Sequence, residues 1–471
     1  MDGLSAYIYW VYCVVAFLLL IRVVLNNRNP IKTLAWMMVL IFLPFLGVIL
    51  YFLFGRDTKR LKYISRRSLS QIQQRSHLYY RSQECVELPA QYTSLAAYLE
   101  NTASAYPMPY NDVRAITDTA SFFDELLEAV LAAKEHIHLQ FYIFENDELG
   151  TRLRDALVKK AREGVEVRLL YDSVGCWRVP QRFFEEIRFA GGQAEAFLKV
   201  FFPIFGSRVN YRNHRKMAVI DGRIGFIGGC NIADRYIKGI NGGCWRDTML
   251  SLRGAAVHGL QTSFLVDWYF ANGSLVSGGV YFPCASVQGS SVVQIAQSNP
   301  VGRNRVIMSA LIMMLSVAKN YVYVQTPYLM LTDAMSQAMR NAALAGVDVR
   351  LMIPLRSDSR LTDYASCSYL GELLEAGVKV YQYEKGFMHS KVMVSDDAVS
   401  SVGSANFDFR SFYYNFEGNA FVYDRAVSQS LKNSFLDDLK GCRLLTLREY
   451  NNRSFMRRCT ESAARLLSPL L

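Results

Sequence analysis

Two short stretches of the chain share residues that can carry out phosphoryl chemistry. Each has a histidine, a lysine two positions later and an aspartate five positions after that: HRKMAVID and HSKVMVSD. Residues two positions apart in a β-strand point to the same face, so each histidine and lysine would enter one site together. A histidine can attack phosphorus while a lysine neutralises phosphate charge, which predicts transfer or hydrolysis of a phosphodiester. The catalytic candidates are His214, Lys216, Asp221, His389, Lys391 and Asp396.

Further polar residues follow each motif. Asn231 and Asn406 end two turns of small residues, and their amides can donate hydrogen bonds where negative charge builds up. An imidazole that alternates between base and acid needs a carboxylate to set its tautomer, and Asp247 and Glu417 occupy comparable downstream positions. The spacing leaves open which carboxylate supports which histidine. Ser404 in the second turn has a glycine counterpart in the first, so a hydroxyl that helps hold phosphate would exist in only one half.

The motif aspartates also have a structural explanation. Asp221 precedes a glycine between two apolar runs, where a hairpin turn would fall, so a structural role is as well supported as a catalytic one. His136 and His138 could share a strand face as metal ligands, but no third ligand follows at zinc-like spacing. We therefore expect packing or surface roles for these two and for His77 and His258, and neither a metal nor another cofactor.

The segments around the motifs repeat. Past a polar connector, helix-like segments alternate with strand-like ones, as in an α/β architecture. IHLQFYIF from Ile137 corresponds to YVYVQTPY from Tyr321, and GVEVRLLYD from Gly164 to GVDVRLMIP from Gly346. A repeat this long is typical of duplicated domains. The predicted fold class is α/β, with two duplicated lobes that together form one active site.

Apolar segments near the N-terminus predict a membrane anchor. Residues 6–25 and 33–54 are each long enough to cross a hydrocarbon core of about 30 Å. The short turn between them predicts a two-helix transmembrane hairpin. Basic residues beyond the second segment outnumber those at the turn, which favours an inner-membrane protein with a cytoplasmic catalytic region. Pro44 also allows a shallow re-entrant hairpin, and a cleaved signal peptide is disfavoured because residues 1–5 lack a positive n-region.

Composition restricts the binding partner. The 52 lysines and arginines exceed the 41 acidic residues, and the net charge of +11 favours a phospholipid surface or a nucleic acid. Two apolar segments favour the lipid, so we expect anionic membrane lipid as the partner and no nucleic acid. Nine cysteines without a C-x-x-C pair indicate reduced thiols. A homo-oligomer is compatible with the sequence, which leaves the oligomeric state open.

Together these residues resemble a known family. The paired motifs with their downstream asparagines are similar to the HKD signature of the phospholipase D superfamily. NPIKTLAWMMVLIFLPFLGVILYFLFGR from Asn29, YDSVG from Tyr171 and SANFDFRSF from Ser404 resemble bacterial cardiolipin synthases, and the resemblance covers essentially the whole chain. It implies a transferase that joins two phosphatidylglycerol molecules into cardiolipin, releasing glycerol without a metal. It also implies a phosphatidyl-histidine on His214, with His389 as acid and base.

Other activities fit parts of the pattern. A phospholipase D-type hydrolase or another phosphatidyltransferase, such as a phosphatidylserine synthase, would use the same chemistry, and exclusion of water would separate transfer from hydrolysis. A nucleic-acid phosphodiesterase fits the positive charge but not the apolar segments. A non-catalytic membrane scaffold would not need two intact motifs.

Four regions are expected along the chain: a transmembrane hairpin (1–56), a basic connector (57–106), a first phospholipase D-like lobe (107–300) and a second (301–471). Two segments are candidates for lipid contact. The aromatic run 197–205 precedes the first motif, and core packing explains it equally well. The C-terminal stretch from Phe455 mixes leucines with arginines, as in an interfacial amphipathic helix, and docking of the lobes is the alternative.

Overall fold

The chain divides into two compact units. In the computed structural model, one unit comprises residues 1–62 and 200–211, and the other comprises residues 63–199 and 212–471. The structure describes residues 3–25, 30–43, 45–51, 63–81, 87–199, 210–240, 242–284, 287, 289–302, 304–469 and 471. Pro44 and most of the aromatic run 197–205 lie outside these ranges, as do the first residues of the predicted connector.

The first unit contains three described helices, α1 (Gly3–Leu25), α2 (Pro30–Phe42) and α3 (Leu46–Leu50). The hydroxyl of Tyr12 on α1 donates a hydrogen bond to the carbonyl of Leu40 on α2 at 3.0 Å. The helices therefore pack against one another within this unit. Their shared buried cluster consists of Leu19, Val23, Leu40 and Tyr51.

Helix length distinguishes the two predicted membrane spans. Residues Tyr7–Leu25 form the one helix in the described ranges that is long and apolar enough to cross a membrane. The second predicted span is divided, because α2 ends at Phe42 and Phe45 has a φ of 62° just ahead of α3. The prediction of a membrane-associated N-terminal helix is therefore supported, whereas a two-helix transmembrane hairpin is not established.

The second unit contains a large sheet, a separate two-stranded sheet and the helices that cover them. Its strands are β1 (Met108–Ile116), β2 (His136–Phe141), β3 (Glu166–Asp172), β4 (Gln193–Phe197), β5 (Arg212–Asn213), β6 (Met217–Ile220), β7 (Ile224–Gly228), β8 (Cys244–Arg246), β9 (Met249–Arg253), β10 (Ser291–Ser298), β11 (Tyr321–Gln325), β12 (Asp348–Pro354), β13 (Lys379–Tyr383), β14 (Gly386–Met388), β15 (Val392–Ser395), β16 (Val399–Gly403), β17 (Asn415–Tyr423) and β18 (Cys442–Leu445). Its helices are α4 (Arg66–Arg81), α5 (Thr93–Ala103), α6 (Thr119–Ala132), α7 (Glu148–Arg162), α8 (Gln181–Phe189), α9 (Arg235–Lys238), α10 (Val257–Asn272), α11 (Val306–Val317), α12 (Asp333–Leu344), α13 (Arg360–Cys367), α14 (Leu370–Glu375), α15 (Phe409–Tyr413), α16 (Arg425–Leu439), α17 (Leu447–Asn451) and α18 (Phe455–Leu467).

The two halves of the sheet share one strand order, and β18 is an additional edge strand of the second half. Across the sheet the order is β18-β13-β12-β11-β15-β16-β17-β10-β1-β9-β7-β6-β2-β3-β4. Strands β11, β12 and β13 pair in parallel, as β2, β3 and β4 do, and an antiparallel hairpin follows in each half. Antiparallel pairing of β1 with β10 joins the halves. The predicted duplicated α/β lobes are confirmed, and we propose that the second repeat begins with β10.

Local sequence explains these elements. Strands β2 and β11 are buried along their whole length, as expected for central strands between helices. Asp118, Thr332 and Asp424 begin α6, α12 and α16, and each side chain accepts a hydrogen bond from a backbone N–H of the first helical turn. A buried apolar cluster fills each half. Helix α5 contributes Leu95 and Leu99 to the buried cluster of the second half. This part of the predicted connector therefore packs on the second lobe.

Candidate active site

Both histidine motifs open onto one cavity. His214 lies between β5 and β6, and His389 lies between β14 and β15. Both side chains line a cavity of about 440 Å³. The fold thus brings together two residues that are far apart in the sequence. The cavity is also lined by Tyr142, Arg212, Asn231, Arg235, Tyr236, Trp245, Tyr328, Asp358, Asn406, Asp408, Arg410 and Asn415.

Each imidazole is paired with a carboxylate from the opposite half of the chain. Nδ1 of His214 lies 3.0 Å from Oε1 of Glu417, and Nδ1 of His389 lies 2.6 Å from Oδ2 of Asp247. Both carboxylates are completely buried. When Nδ1–H donates to a carboxylate, Nε2 is left as the basic atom of the ring. The crossed pairing therefore decides which carboxylate serves which histidine.

Two short parallel strand pairs produce this crossing. Strand β5 pairs with the start of β17, and the backbone N–H of His214 donates to the carbonyl of Phe416 at 2.9 Å. Strand β8 pairs with β14, and the backbone N–H of His389 donates to the carbonyl of Arg246 at 2.7 Å. Each carboxylate is the residue after the accepting carbonyl. Backbone hydrogen bonds thus position each histidine beside the carboxylate of the other half.

Burial favours the neutral form of both imidazoles. Desolvation lowers the pKa of His214, with the partly opposing effect of Glu417 and a further lowering by Lys216. Burial and the charge of Lys391 lower the pKa of His389 to about 3, although Asp247 acts in the opposite direction. A neutral ring keeps the lone pair on Nε2 that a nucleophile or a base requires.

The two motif lysines are buried beside the histidines. Nζ of Lys216 donates to the carbonyl of His214 at 2.6 Å, and Nζ of Lys391 donates to the carbonyl of His389. Burial lowers the pKa of Lys216 well below its usual range and that of Lys391 to about 8. An anion bound in the cavity would favour the charged form of both side chains. The lysines are therefore suited to a phosphodiester.

The two carboxylates are held differently. The hydroxyl of Ser404 donates to Oε2 of Glu417, and Nδ2 of Asn415 donates to Oε1 at 3.1 Å. At Gly229, the counterpart of Ser404, a Cβ would stand 2.0 Å from Oδ1 of Asp247. A serine cannot occupy that position while the carboxylate remains in place. The difference between the two turns thus has a steric cause, and the Ser404 hydroxyl contacts a carboxylate.

Asn231 and Asn406 line the cavity, but their amides bind the protein. Oδ1 of Asn231 accepts from the backbone N–H of Ile143 at 3.1 Å, and its Nδ2 donates to the hydroxyl of Tyr236. Nδ2 of Asn406 donates to Oδ2 of Asp408 at 3.0 Å, while its buried Oδ1 has no hydrogen-bond partner among the described residues. Both side chains order the cavity wall. A direct contact with the transition state stays a prediction.

The motif aspartates lie in hairpin turns rather than in the cavity. Asp221 and Asp396 have φ values of 53° and 52°. The Asp221 carboxylate accepts from the backbone N–H groups of residues 134–136, and that of Asp396 accepts from those of residues 319–321. Each carboxylate therefore ties a hairpin to the start of a central strand. These contacts support a structural role for Asp221 and Asp396, and a catalytic role for them stays a prediction.

Sequence reasoning missed three arginines of the cavity wall, Arg212, Arg235 and Arg410. Arg235 and Arg410 both line the cavity, and Arg235 forms an ion pair with Glu145 at 2.8 Å. A signal for these two is present, because each lies four positions after a motif asparagine, in NIADR and NFDFR. This repeated N-x-x-x-R spacing places one guanidinium from each half at the site. Guanidinium groups bind phosphate through paired N–H donors.

The remaining histidines lie outside the catalytic cavity. Oε1 of Gln261 lies 3.2 Å from Nε2 of His136 and 3.3 Å from Nδ1 of His138, and burial lowers the pKa of both rings. His258 is buried, and Nδ1 of His77 is 2.8 Å from the hydroxyl of Tyr106. In the part of the chain that the structure describes, no group of three or more metal-ligating side chains is present.

Comparison with known proteins places the chain in a family. A family model described as the phospholipase D-like domain of cardiolipin synthase matches residues 126–245 and 311–439. The chain is 40% identical over 468 residues to cardiolipin synthase 2 of Bacillus anthracis, covering 98% of this chain and 91% of that protein. The chain belongs to the phospholipase D-like cardiolipin synthase family. The first matched segment contains His214 and the second contains His389 and Glu417.

Further members of this family and one solved structure agree with the fold. The major cardiolipin synthase ClsA of Bacillus subtilis is 39% identical over 483 residues, covering all of both chains. The crystal structure of phosphatidylserine synthase from Haemophilus influenzae superimposes with a TM-score of 0.64 at 14% identity, covering 80% of this chain and all of that one. A second family model, for the phospholipase D-nuclease N-terminal region, matches residues 14–56.

Proposed function

We propose that this enzyme is a phosphatidyltransferase that converts two molecules of phosphatidylglycerol into cardiolipin and glycerol. The observation that carries the proposal is the pair of crossed histidine–carboxylate contacts at one cavity, in a chain about 40% identical to cardiolipin synthases over nearly its full length. Two imidazoles with opposed carboxylates suit a double displacement, because one ring can hold the phosphatidyl group while the other moves protons.

The first displacement forms a covalent intermediate. Nε2 of His214 attacks phosphorus of the first phosphatidylglycerol, and the bond from phosphorus to the headgroup glycerol oxygen breaks. His389 donates a proton to that oxygen, and glycerol leaves. Glu417 stabilises the positive charge that develops on the His214 ring, with which its carboxylate is in contact at 3.0 Å.

The second displacement reverses these roles for a new alcohol. His389, now neutral, removes the proton from a headgroup hydroxyl of a second phosphatidylglycerol, and the oxygen attacks phosphorus. The bond between phosphorus and His214 breaks, which releases cardiolipin and restores the enzyme. The assignment of attack to His214 follows the family resemblance.

The charges around the site support a first step in which the His214 ring is neutral and the His389 ring is protonated. Burial and the positive charge of the lysines lower the pKa of His389, and the negative charge of a bound phosphodiester acts in the opposite direction, towards the protonated ring. Lys216 and Lys391 also stabilise the additional negative charge of the transition state. Substrate binding thus prepares the acid on which the first step depends.

The membrane location follows from the N-terminal unit. Helix α1 is apolar over Tyr7–Leu25, and α2 packs against it. We propose that this unit anchors the protein in the inner membrane by crossing it twice. The basic residues that follow residue 55 favour a cytoplasmic position for the catalytic unit. Cysteine accessibility measured from each side of sealed vesicles tests the arrangement.

Lipid analysis tests the reaction. Purified protein is incubated in phosphatidylglycerol vesicles with a chelator, with glycerol and serine added in separate arms. Cardiolipin should form in the presence of chelator, whereas phosphatidic acid or phosphatidylserine as the main product would overturn the assignment. His214→Ala and His389→Ala should each abolish turnover. The His389→Ala variant should accumulate a radiolabelled phosphatidyl group on His214 when loss of His389 slows the second step more than the first. The adduct should be labile in acid. Label found only on another residue would refute His214 as nucleophile.

A further inference from the structure

A second large cavity lies in the second half of the catalytic unit. Its volume is about 790 Å³, and its walls include Arg356, Arg360, Arg443 and Arg457. One lining carboxylate, that of Asp363, accompanies these four arginines. We call it the arginine cavity. Its charge and its guanidinium groups suit a phosphate-bearing anion.

Most of the positive charge of the arginine cavity is not balanced by ion pairs within the described residues. Within the described ranges, no carboxylate forms an ion pair with Arg356, Arg360 or Arg443. Nε of Arg457 donates to Oε1 of Glu461 at 2.9 Å. All four arginines are exposed, so their guanidinium groups can reach an anion from outside the molecule.

Beside the cavity, α18 has an exposed apolar face. At 100° per residue, five side chains fall within an arc of roughly 100° on this helix. Three of the five are large and expose 73–81% of their surface, whereas Glu461 and Ala464 on the other side are buried. We call these five residues the apolar stripe. They are Phe455, Met456, Cys459, Ala463 and Leu466.

The stripe begins at the mouth of the arginine cavity. Met456 belongs to the stripe and also lines the cavity, next to Arg457. Apolar side chains that enter the acyl boundary, combined with basic groups at headgroup level, are the features by which interfacial helices bind anionic membranes. Charge complementarity therefore indicates that an anionic membrane covers the stripe.

One wall separates the arginine cavity from the catalytic cavity. Arg356, Arg360 and Asp363 line the former, whereas Asp358 and Thr362 of the same segment line the latter. The hydroxyl of Ser357 forms hydrogen bonds of 3.0 Å with both Asp358 and Thr362, which holds the segment together. A headgroup in the arginine cavity would thus bring the catalytic cavity to the membrane surface.

We propose that the arginine cavity binds the headgroup phosphate of an anionic phospholipid in the bilayer while the apolar stripe of α18 lies in the membrane interface. This contact is separate from the proposed N-terminal anchor and from the chemical step. It orients the second lobe so that lipid enters the catalytic cavity from the membrane.

Depth measurement at Cys459 tests the proposal. The full chain carries His214→Ala so that lipid composition stays constant, and the other reactive cysteines are replaced by serine. A nitroxide label on Cys459 is examined in nanodiscs by its relative accessibility to oxygen and to a water-soluble nickel chelate. The label should be immersed in discs of phosphatidylcholine mixed with phosphatidylglycerol and water-exposed in phosphatidylcholine alone.

Two double variants that remove the same charge show whether the arginines of the cavity are responsible for the membrane contact. Each arginine at an anionic surface contributes about fivefold, so Arg360→Gln with Arg443→Gln should lower the ratio of immersed to exposed label about 25-fold. The control, Arg162→Gln with Arg182→Gln, removes the same charge from exposed positions in the first half and should leave the ratio unchanged.

Three results would overturn the proposal. They are equal immersion in both types of disc, equal behaviour of the two double variants, and shielding of the label in lipid-free detergent together with a doubled particle mass, which would assign the stripe to a second copy of the chain. Because the readout does not require turnover, its failure is distinguishable from failure of the proposed function.

Discussion

Replacement of Gly229 by alanine tests whether the crossed carboxylate contact positions His389. Gly229 does not have a positive φ, so its backbone accommodates alanine. The new Cβ would stand 2.0 Å from Oδ1 of Asp247. Carbon atoms in contact are normally about 3.5 Å or more from their neighbours, so the carboxylate must retreat by roughly 1.5 Å. Its 2.6 Å contact with Nδ1 of His389 would then exceed hydrogen-bond distance.

The expected consequence is a loss of rate with a smaller loss of stability. Misplacement of a catalytic group by about 1 Å costs roughly 100-fold in rate, and loss of general acid–base catalysis costs about 10²–10⁴-fold. Overpacking of this kind costs about 1–3 kcal/mol of folding free energy. We therefore expect Gly229→Ala to fold and to lose at least about 100-fold in kcat, because proton transfer requires an oriented ring.

Conversion of radiolabelled phosphatidylglycerol to cardiolipin, with thermal unfolding in detergent, measures both effects. The matched control is Gly418→Ala, the same substitution beside Glu417, where the nearest atom to a new Cβ is 3.7 Å away on Arg215. This control should retain nearly full activity. A kcat for folded Gly229→Ala close to that of the control would refute the positioning role of Asp247.

Three further results are expected. Ser404→Ala removes the hydroxyl that donates to buried Glu417 and should lower kcat by about tenfold in the same lipid assay, whereas an unchanged rate would show that this bond is dispensable. Asp267→Asn leaves the buried charge of Arg215 without its ion-pair partner and should destabilise the fold by roughly 3–5 kcal/mol in denaturant titration. Stability should fall as the pH drops from 6.5 towards 3, because burial lowers the pKa of His136 to about 3 and the unfolded chain binds the proton first. His136→Gln should make that decline shallower, and an unchanged slope would assign it to other groups.

The repeated sequence pattern was sufficient to predict the duplicated α/β lobes. Strand periodicity and helix caps act over a few residues, so segments such as GVEVRLLYD and GVDVRLMIP predict the same local structure wherever they occur. The spacing of the motifs likewise indicated histidines and lysines that act on phosphate. The divided second membrane segment was less predictable, because hydropathy reports apolar character and not where a helix ends.

Tertiary structure decided how the candidate residues meet. The crossing of Glu417 to His214 and of Asp247 to His389 depends on strands β5 and β8 pairing with the opposite half, a contact between residues distant in sequence. The same packing explains why the first half has Gly229 where the second half has Ser404, because Asp247 fills the space that a side chain at position 229 would need. The tertiary structure also places Asp221 and Asp396 in hairpin turns rather than in the cavity. Composition and spacing thus determined which chemical groups are present, whereas long-range backbone pairing and steric exclusion determined their partners.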